Sequence, residues 1–216
     1  MSRIRLFLLV MLGLFPAIAY GQSLGRSSPT LAEWLGQMRL GGYVIVLRHG
    51  ATTSDVATDP MSNPAKKAAA GERQLSEAGR AQAKAVGEAL RKLKIPVGLV
   101  LTSPLQRAVD TGTLLGLGEV TTKPELAEAG SAVSAEENKH RADALRQLVA
   151  LRPPADNNLV IVSHKPNIID AFGKGWVDVR EGEASVFEPD GSGGYKLVVR
   201  IQASEWSRLA QMSNGY

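Results

Sequence analysis

The chain has 216 residues, 44% of them hydrophobic and 21% charged, the make-up of one globular domain with room for a single sizeable core. Its formal net charge is +4, two of the cations being Arg3 and Arg5 at the extreme N-terminus, and the other Lys and Arg residues are scattered rather than clustered. That pattern excludes nucleic acid as an expected partner, and the absence of cysteine excludes disulfides and thiolate chemistry.

Residues 1–19 have the pattern of a secretory signal peptide. Arg3 and Arg5 form a positive n-region, residues 6–15 an apolar stretch, Pro16 a helix break and Ala17-Ile18-Ala19 a small-x-small cleavage site. Cleavage after Ala19 or after Gly21 fits the pattern. The expected location is therefore periplasmic or secreted. The apolar run falls short of the ~20 residues a spanning helix needs, so no stable membrane span is expected after cleavage. Residues 20–29 read as a flexible leader and 30–216 as the folded domain.

The elements follow from apolar spacing and from start and stop residues. Thr30-Leu31-Ala32-Glu33 is a capping box, which predicts a helix to about Arg39, ended by Gly41-Gly42. Residues 43–47, an unbroken β-branched and aromatic run, predict a strand buried on both faces. Residues 51–73 lack usable periodicity and read as a long surface loop. Ser76 caps a helix with Ala81, Ala85, Val86, Ala89, Leu90 and Leu93 on its apolar stripe, closed by Pro96. Residues 97–102 form a second strand. Ser103-Pro104 then reads as the cap and first residue of a helix to about Leu115, stopped by Gly116 and Gly118.

Residues 120–122 are a third, short strand, and Ser134 opens another helix that Pro153-Pro154 terminates. Residues 159–162 are a further core strand, with Ser163-His164-Lys165-Pro166 at its carboxyl end and a helix from there to about Phe172. Residues 184–187 and 196–200 flank Asp190-Gly191-Ser192-Gly193-Gly194 as a hairpin, and a last helical stretch ends near Met212. Alternating strands and helices predict an α/β three-layer sandwich: a mostly parallel, doubly wound sheet with helices on both faces and a C-terminal antiparallel hairpin.

Ligands of such sheets bind beyond the carboxyl ends of the strands. Arg48 and His49 stand there after the first strand, Arg107 in the helix after the second, and His164 after a later one. Alone, the Arg48-His49 pair could be merely solvated; the second strand ending in a second histidine decides against that. Two guanidiniums can clamp a phosphate through parallel hydrogen bonds. A neutral imidazole among them is a nucleophile, and a second, protonated one would offset charge developing on the phosphoryl oxygens.

Several segments in order carry a specific likeness. Leu47-Arg48-His49-Gly50 resembles the signature of the histidine phosphatase superfamily, which includes the cofactor-dependent phosphoglycerate mutases. Residues 75–83, Ser103-Pro104-Leu105-Gln106-Arg107, Leu126-Ala127-Glu128-Ala129-Gly130 and Val162-Ser163-His164 resemble its further segments, with Gly112 replacing the usual alanine. The resemblance implies that His49 is the nucleophile that becomes phosphorylated. Arg48, Arg107 and His164 would form the phosphate pocket and Glu128 would be the proton donor. Thr52 fills a position where relatives often carry a phosphate-assisting Ser. Asp55 replaces their Asn and would repel phosphate, so its expected part is to orient Arg48 or to point away.

The stretch between Glu128 and the next helix is too short for the substrate-gripping cap of a mutase, which favours a phosphatase with an open pocket. Lys165-Pro166 after His164 resembles the smaller phosphohistidine-phosphatase subgroup. The expected activity is a metal-independent histidine (acid) phosphatase, a phosphoric monoester hydrolase, acting on a small phosphomonoester or a phosphorylated envelope saccharide. Alternatives are a phosphohistidine-protein phosphatase and a non-catalytic phosphate- or polyanion-binding module. No His/Asp/Glu cluster has metal-ligand spacing, so neither metal nor cofactor is called for. His140 and Lys66-Lys67 read as solvated, and Trp34, Trp176 and Trp206 as packing.

Overall fold

The apolar runs at residues 43–47 and 159–162 form adjacent central strands of a six-stranded sheet. The computed structural model describes residues 30–53, 73–128 and 133–212. The signal peptide and leader, most of the first loop with Asp55, Lys66 and Lys67, and Ala129-Gly130 lie outside the described residues. The elements in chain order are α1 (Leu31–Met38), β1 (Val44–Arg48), α2 (Glu77–Lys92), β2 (Val97–Thr102), α3 (Gln106–Leu115), β3 (Val120–Thr122), α4 (Ala135–Ala150), β4 (Asn158–Ser163), α5 (Lys165–Phe172), β5 (Ala184–Pro189), β6 (Tyr195–Ile201) and α6 (Ala203–Met212). Short 3-10 turns occupy Pro124–Leu126 and Lys174–Trp176.

The sheet order is β3-β2-β4-β1-β5-β6. The first four strands are mutually parallel, β5 is antiparallel to β1, and β6 is antiparallel to β5. The predicted mixed α/β sandwich is therefore the observed one. Alternate residues of the central strands feed two cores. Ile45, Leu47, Val100, Val160 and Val162 pack against α1, α2 and α6, where Trp206 is fully buried. Val44, Val46, Leu101, Leu159 and Ile161 pack on the other face against Leu145 and Val149 of α4 and Ile168 of α5. Each fully buried aliphatic side chain of this kind contributes about 1.5–3 kcal/mol. Covering both faces is why β1 and β4 read as continuous apolar runs rather than alternating ones.

Helix starts mostly follow their caps. Thr30 and Glu33 form the reciprocal capping box of α1, and the Ser76 and Ser134 hydroxyls accept from the third backbone N–H of α2 and α4. Helix α3 departs from the expectation. It begins at Gln106 rather than at Pro104, and its N-cap, Leu105, has no side-chain cap. The Ser103 hydroxyl is engaged elsewhere, as described below.

Candidate active site

Strand register brings the functional residues to one level. In the β1–β4 pair Arg48 lies opposite Ser163, and in the β2–β4 pair Thr102 lies opposite Val162. His49, Ser103 and His164 therefore leave three neighbouring strands side by side. The His49 N–H donates to the Ser163 carbonyl at 3.1 Å, and the Ser103 N–H to the Val162 carbonyl at 3.1 Å.

His49 is only 1% exposed, and its Nδ1 lies 2.8 Å from the Gly50 carbonyl. A carbonyl can only accept, so Nδ1 carries the proton and Nε2 the lone pair. Gly50 serves close approach: a Cβ there would lie 2.8 Å from the Gly79 carbonyl of α2. Its N–H donates to Thr111 Oγ1 at 3.0 Å, and the Thr111 hydroxyl donates to the Arg107 carbonyl at 2.7 Å. The turn after β1 is thereby tied to the helix that carries Arg107. Gly112, on that same helix, leaves space for Thr102, whose Cγ2 would lie 2.6 Å from an alanine Cβ.

The His164 ring is fully buried and stands 5.2 Å from the His49 ring, centroid to centroid. Its Nε2 is 2.7 Å from Ser103 Oγ. Burial, with Arg107, Arg48 and Arg73 adding to it against the Gly50 hydrogen bond, pushes His49 down from 6.5 to about 3. Burial also pushes His164 down to about 2, with Arg107, His49, Arg73 and Arg48 in support. The second histidine is thus neutral in the ligand-free site, not protonated as its role suggested. Desolvation and three nearby guanidiniums all oppose its charging.

The arginines are held from behind. Arg48 Nη1 donates to the Val179 carbonyl at 2.8 Å, and Nη2 lies 3.4 Å from Glu181. Arg107 is 3% exposed and forms an ion pair with Glu128. The Glu128 segment is in turn anchored by Arg141, which donates to the Glu128 carbonyl at 3.0 Å, and by Asn167, which donates to the Ala127 carbonyl at 2.6 Å.

The comparisons with known proteins bear on this arrangement. Residues 44–133, the stretch that holds Arg48, His49, Arg107 and Glu128, match the profile of the histidine phosphatase superfamily (branch 1). The likeness to that superfamily therefore spans the first strand through the Glu128 segment. Among curated proteins no sequence matches it significantly. Among solved structures, it is similar to the protein histidine phosphatase SixA complexed with tungstate, at 19% identity and a TM-score of 0.54, covering 76% of this chain and 98% of that one. It is also similar to the mycobacterial glucosyl-3-phosphoglycerate phosphatase, at 20% identity and a TM-score of 0.53, covering 73% and 97% of the two chains. A third is the phosphoserine phosphatase of Entamoeba histolytica in complex with 3-phosphoglyceric acid, at 17% identity and a TM-score of 0.53, covering 74% and 96%. These likenesses show a shared fold.

The structure brings together Arg48, His49, Arg107, Glu128 and His164. Thr52 lies beside them, but its hydroxyl donates to Glu181 at 3.1 Å. The candidate Arg48 partner lies within the described residues: it is Glu181, whose backbone carbonyl also accepts from Gln82 at 3.0 Å. Arg73 is a second addition. Leu75 bridges to Thr52, and the Ser76 N–H donates to the Ala51 carbonyl at 2.9 Å, which folds the far end of the first loop against the site. Arg73 then lines an open cleft of about 430 Å³ together with Arg48, Glu128, Lys165, Ile169 and Asp170. No local pattern marked Arg73 or Glu181, because both owe their place to chain-distant pairing. His140 is exposed, 3.9 Å from Glu137. Among the described residues no group of three or more His, Asp or Glu side chains could hold a metal ion.

Proposed function

We propose that the protein is an exported phosphomonoesterase that works through a phosphohistidine at His49. The observation that carries this reading is the His49 ring, with Nδ1 fixed on the Gly50 carbonyl and Nε2 left as the basic nitrogen, set level with His164 beside Arg48 and Arg107. Burial keeps that ring neutral, so the nucleophile needs no prior deprotonation.

In the first step Nε2 attacks phosphorus while the ester P–O bond breaks, and the leaving oxygen takes the proton of Glu128. In the second, water attacks phosphorus as the P–N bond breaks. The ionised Glu128 accepts the water's proton, and phosphate leaves. Arg48 and Arg107 stabilise the negative phosphoryl oxygens throughout, so the proposed chemistry needs no metal. Glu128 has to leave its ion pair with Arg107 and take up a proton from solvent before it can serve the leaving group, and a phosphate dianion on Arg107 provides that displacement. Thr52 contributes to the same pocket once its hydroxyl turns from Glu181 to phosphate. The cleft beside Arg73 and Lys165 then receives the rest of the substrate, a small phosphomonoester or a phosphorylated envelope saccharide. Export rests on the pattern of residues 1–19 alone. Among the described residues no helix is long and apolar enough to cross a membrane.

A second reading, a phosphohistidine-protein phosphatase, is supported by the likeness to SixA and by the open cleft. The test is a panel of alkyl, sugar and nitrophenyl phosphates and a phosphohistidine peptide, followed by acid-neutral rapid quench and mass spectrometry. A phosphorylated peptide containing His49 is expected during turnover, absent in His49→Ala, which should lose several orders of magnitude in rate. Full activity of His49→Ala would overturn the mechanism. Turnover of the phosphohistidine peptide alone would decide for the second reading.

A further inference from the structure

We propose that Ser103 is a positioning residue that sets which nitrogen of His164 carries the proton, so that His164 meets the phosphoryl group as a neutral N–H donor through Nδ1. Ser103 is fully buried at the end of β2, and its backbone N–H is held on the Val162 carbonyl, two residues before His164. Its Oγ accepts from the Leu105 N–H at 3.1 Å and lies 2.7 Å from His164 Nε2. A hydroxyl has one proton and two acceptor lone pairs. With one lone pair taken by Leu105, the hydroxyl either donates to Nε2 or accepts from an Nε2–H. The second choice leaves the hydroxyl proton with no acceptor, since no other partner of Ser103 occurs among the described residues. The first satisfies every atom of the pair.

With Nε2 accepting, the ring proton of neutral His164 sits on Nδ1. That atom is buried and has no hydrogen-bond partner among the described residues. A buried donor without a partner is a costly feature unless a ligand completes it. Arg107, Arg48 and His49 surround the same pocket, so an anionic oxygen is the group that would. The opposite tautomer would turn a lone pair toward that oxygen. The imidazolium would also donate, but burial and the guanidiniums oppose it. This explains why the Ser-Pro pair does not cap α3: its hydroxyl serves the histidine. The same logic fixes His49 through the Gly50 carbonyl, so two buried imidazoles carry defined tautomers for two different tasks.

The tautomer stands on the hydrogen-bond geometry around a ring that burial keeps neutral, while its consequence for turnover rests on the phosphatase reading. The test uses the whole mature protein with ¹⁵N-labelled histidine; the chain has three histidines, one of them the exposed His140. At neutral pH the His164 nitrogens should appear as a protonated Nδ1 and an unprotonated, hydrogen-bonded Nε2. In Ser103→Ala, which removes one oxygen and adds no bulk, that signature should give way to a mixture of tautomers. Orthovanadate affinity should fall about tenfold, the scale of one lost hydrogen bond, and kcat for nitrophenyl phosphate should fall by a similar factor. A wild-type spectrum with Nε2 protonated would overturn the proposal without any variant. So would Ser103→Ala with an unchanged tautomer and unchanged vanadate affinity. The expected tautomer change in a protein whose wild type turns over no phosphomonoester would leave the positioning role standing and defeat the phosphatase reading.

Discussion

Acid should unfold this protein in a way that the two site histidines dominate. Each titrates near 6.5 in an unfolded chain, whereas the fold holds His49 near about 3 and His164 near about 2. Between those limits the unfolded chain binds two more protons than the native one. Both folded values are depressed, so the stabilising balance is present above pH 6.5 and is lost as pH falls toward 3. Each proton is worth about 1.4 kcal/mol per pH unit, so the pair removes about 2.7 kcal/mol per unit below pH 6.5. Between pH 6.5 and 4.5 that is roughly 5 kcal/mol, against a total stability of about 5–15 kcal/mol for an ordinary domain. The assay is urea denaturation at pH 7.5, 6.5, 5.5 and 4.5 for the wild type, His49→Asn and His164→Asn. Carboxylate titrations are common to all three and cancel in the difference. Each variant should lose stability more slowly than the wild type by about 1.4 kcal/mol per pH unit below pH 6. Stability curves that run parallel at all pH values would refute the buried, neutral state of the histidines.

Three further outcomes are expected. Activity should survive EDTA and be inhibited by orthovanadate, because Arg48 and Arg107 supply the positive charge; loss on chelation with recovery on adding metal would count against the mechanism. Glu128→Gln should slow alkyl phosphates by about 10²–10⁴-fold and nitrophenyl phosphate little, since only a poor leaving group needs the proton; equal, small effects would remove Glu128 from the chemistry. Protein recovered from the envelope fraction should begin at Tyr20 or Gln22, and N-terminal sequencing that still finds Arg3 would argue against export.

The sheet was legible because its central strands are buried on both faces, so β1 and β4 announce themselves by unbroken apolar runs. The strand-end position of Arg48, His49 and His164 followed from that reading and one topological rule. What the sequence hid was pairing across the fold. Ser103-Pro104 has the local form of a helix start, and only His164, 61 residues away, reveals that the hydroxyl is engaged with a ring instead. Arg73 looked like the end of a featureless loop because the bridge between Thr52 and Leu75 that folds it back leaves no periodic trace. Glu181 sits in a polar connection before β5, where a glutamate is ordinarily solvated. The neutrality of His164 was hidden for a related reason: burial and guanidinium proximity are properties of the assembled site, not of a motif.

Arg48 and Arg107 are each matched by a carboxylate, yet the two pairs are built for different ends. Glu181 is held by Arg48 and, through its own carbonyl, by Gln82, with the Thr52 hydroxyl a third attachment in the ligand-free site. It keeps the Arg48 fork aimed forward when substrate arrives. Glu128 is anchored by its backbone, through Arg141, while its carboxylate reaches Arg107 from a half-exposed position on the cleft. On the proposed mechanism a phosphate dianion competes for Arg107, and the carboxylate it displaces takes up a proton from solvent and serves the leaving group from the cleft it lines. The ligand-free ion pair thus holds the proton carrier at the site without letting it block the nucleophile. Its release is coupled to the one event that makes a proton useful, the arrival of phosphate on Arg107.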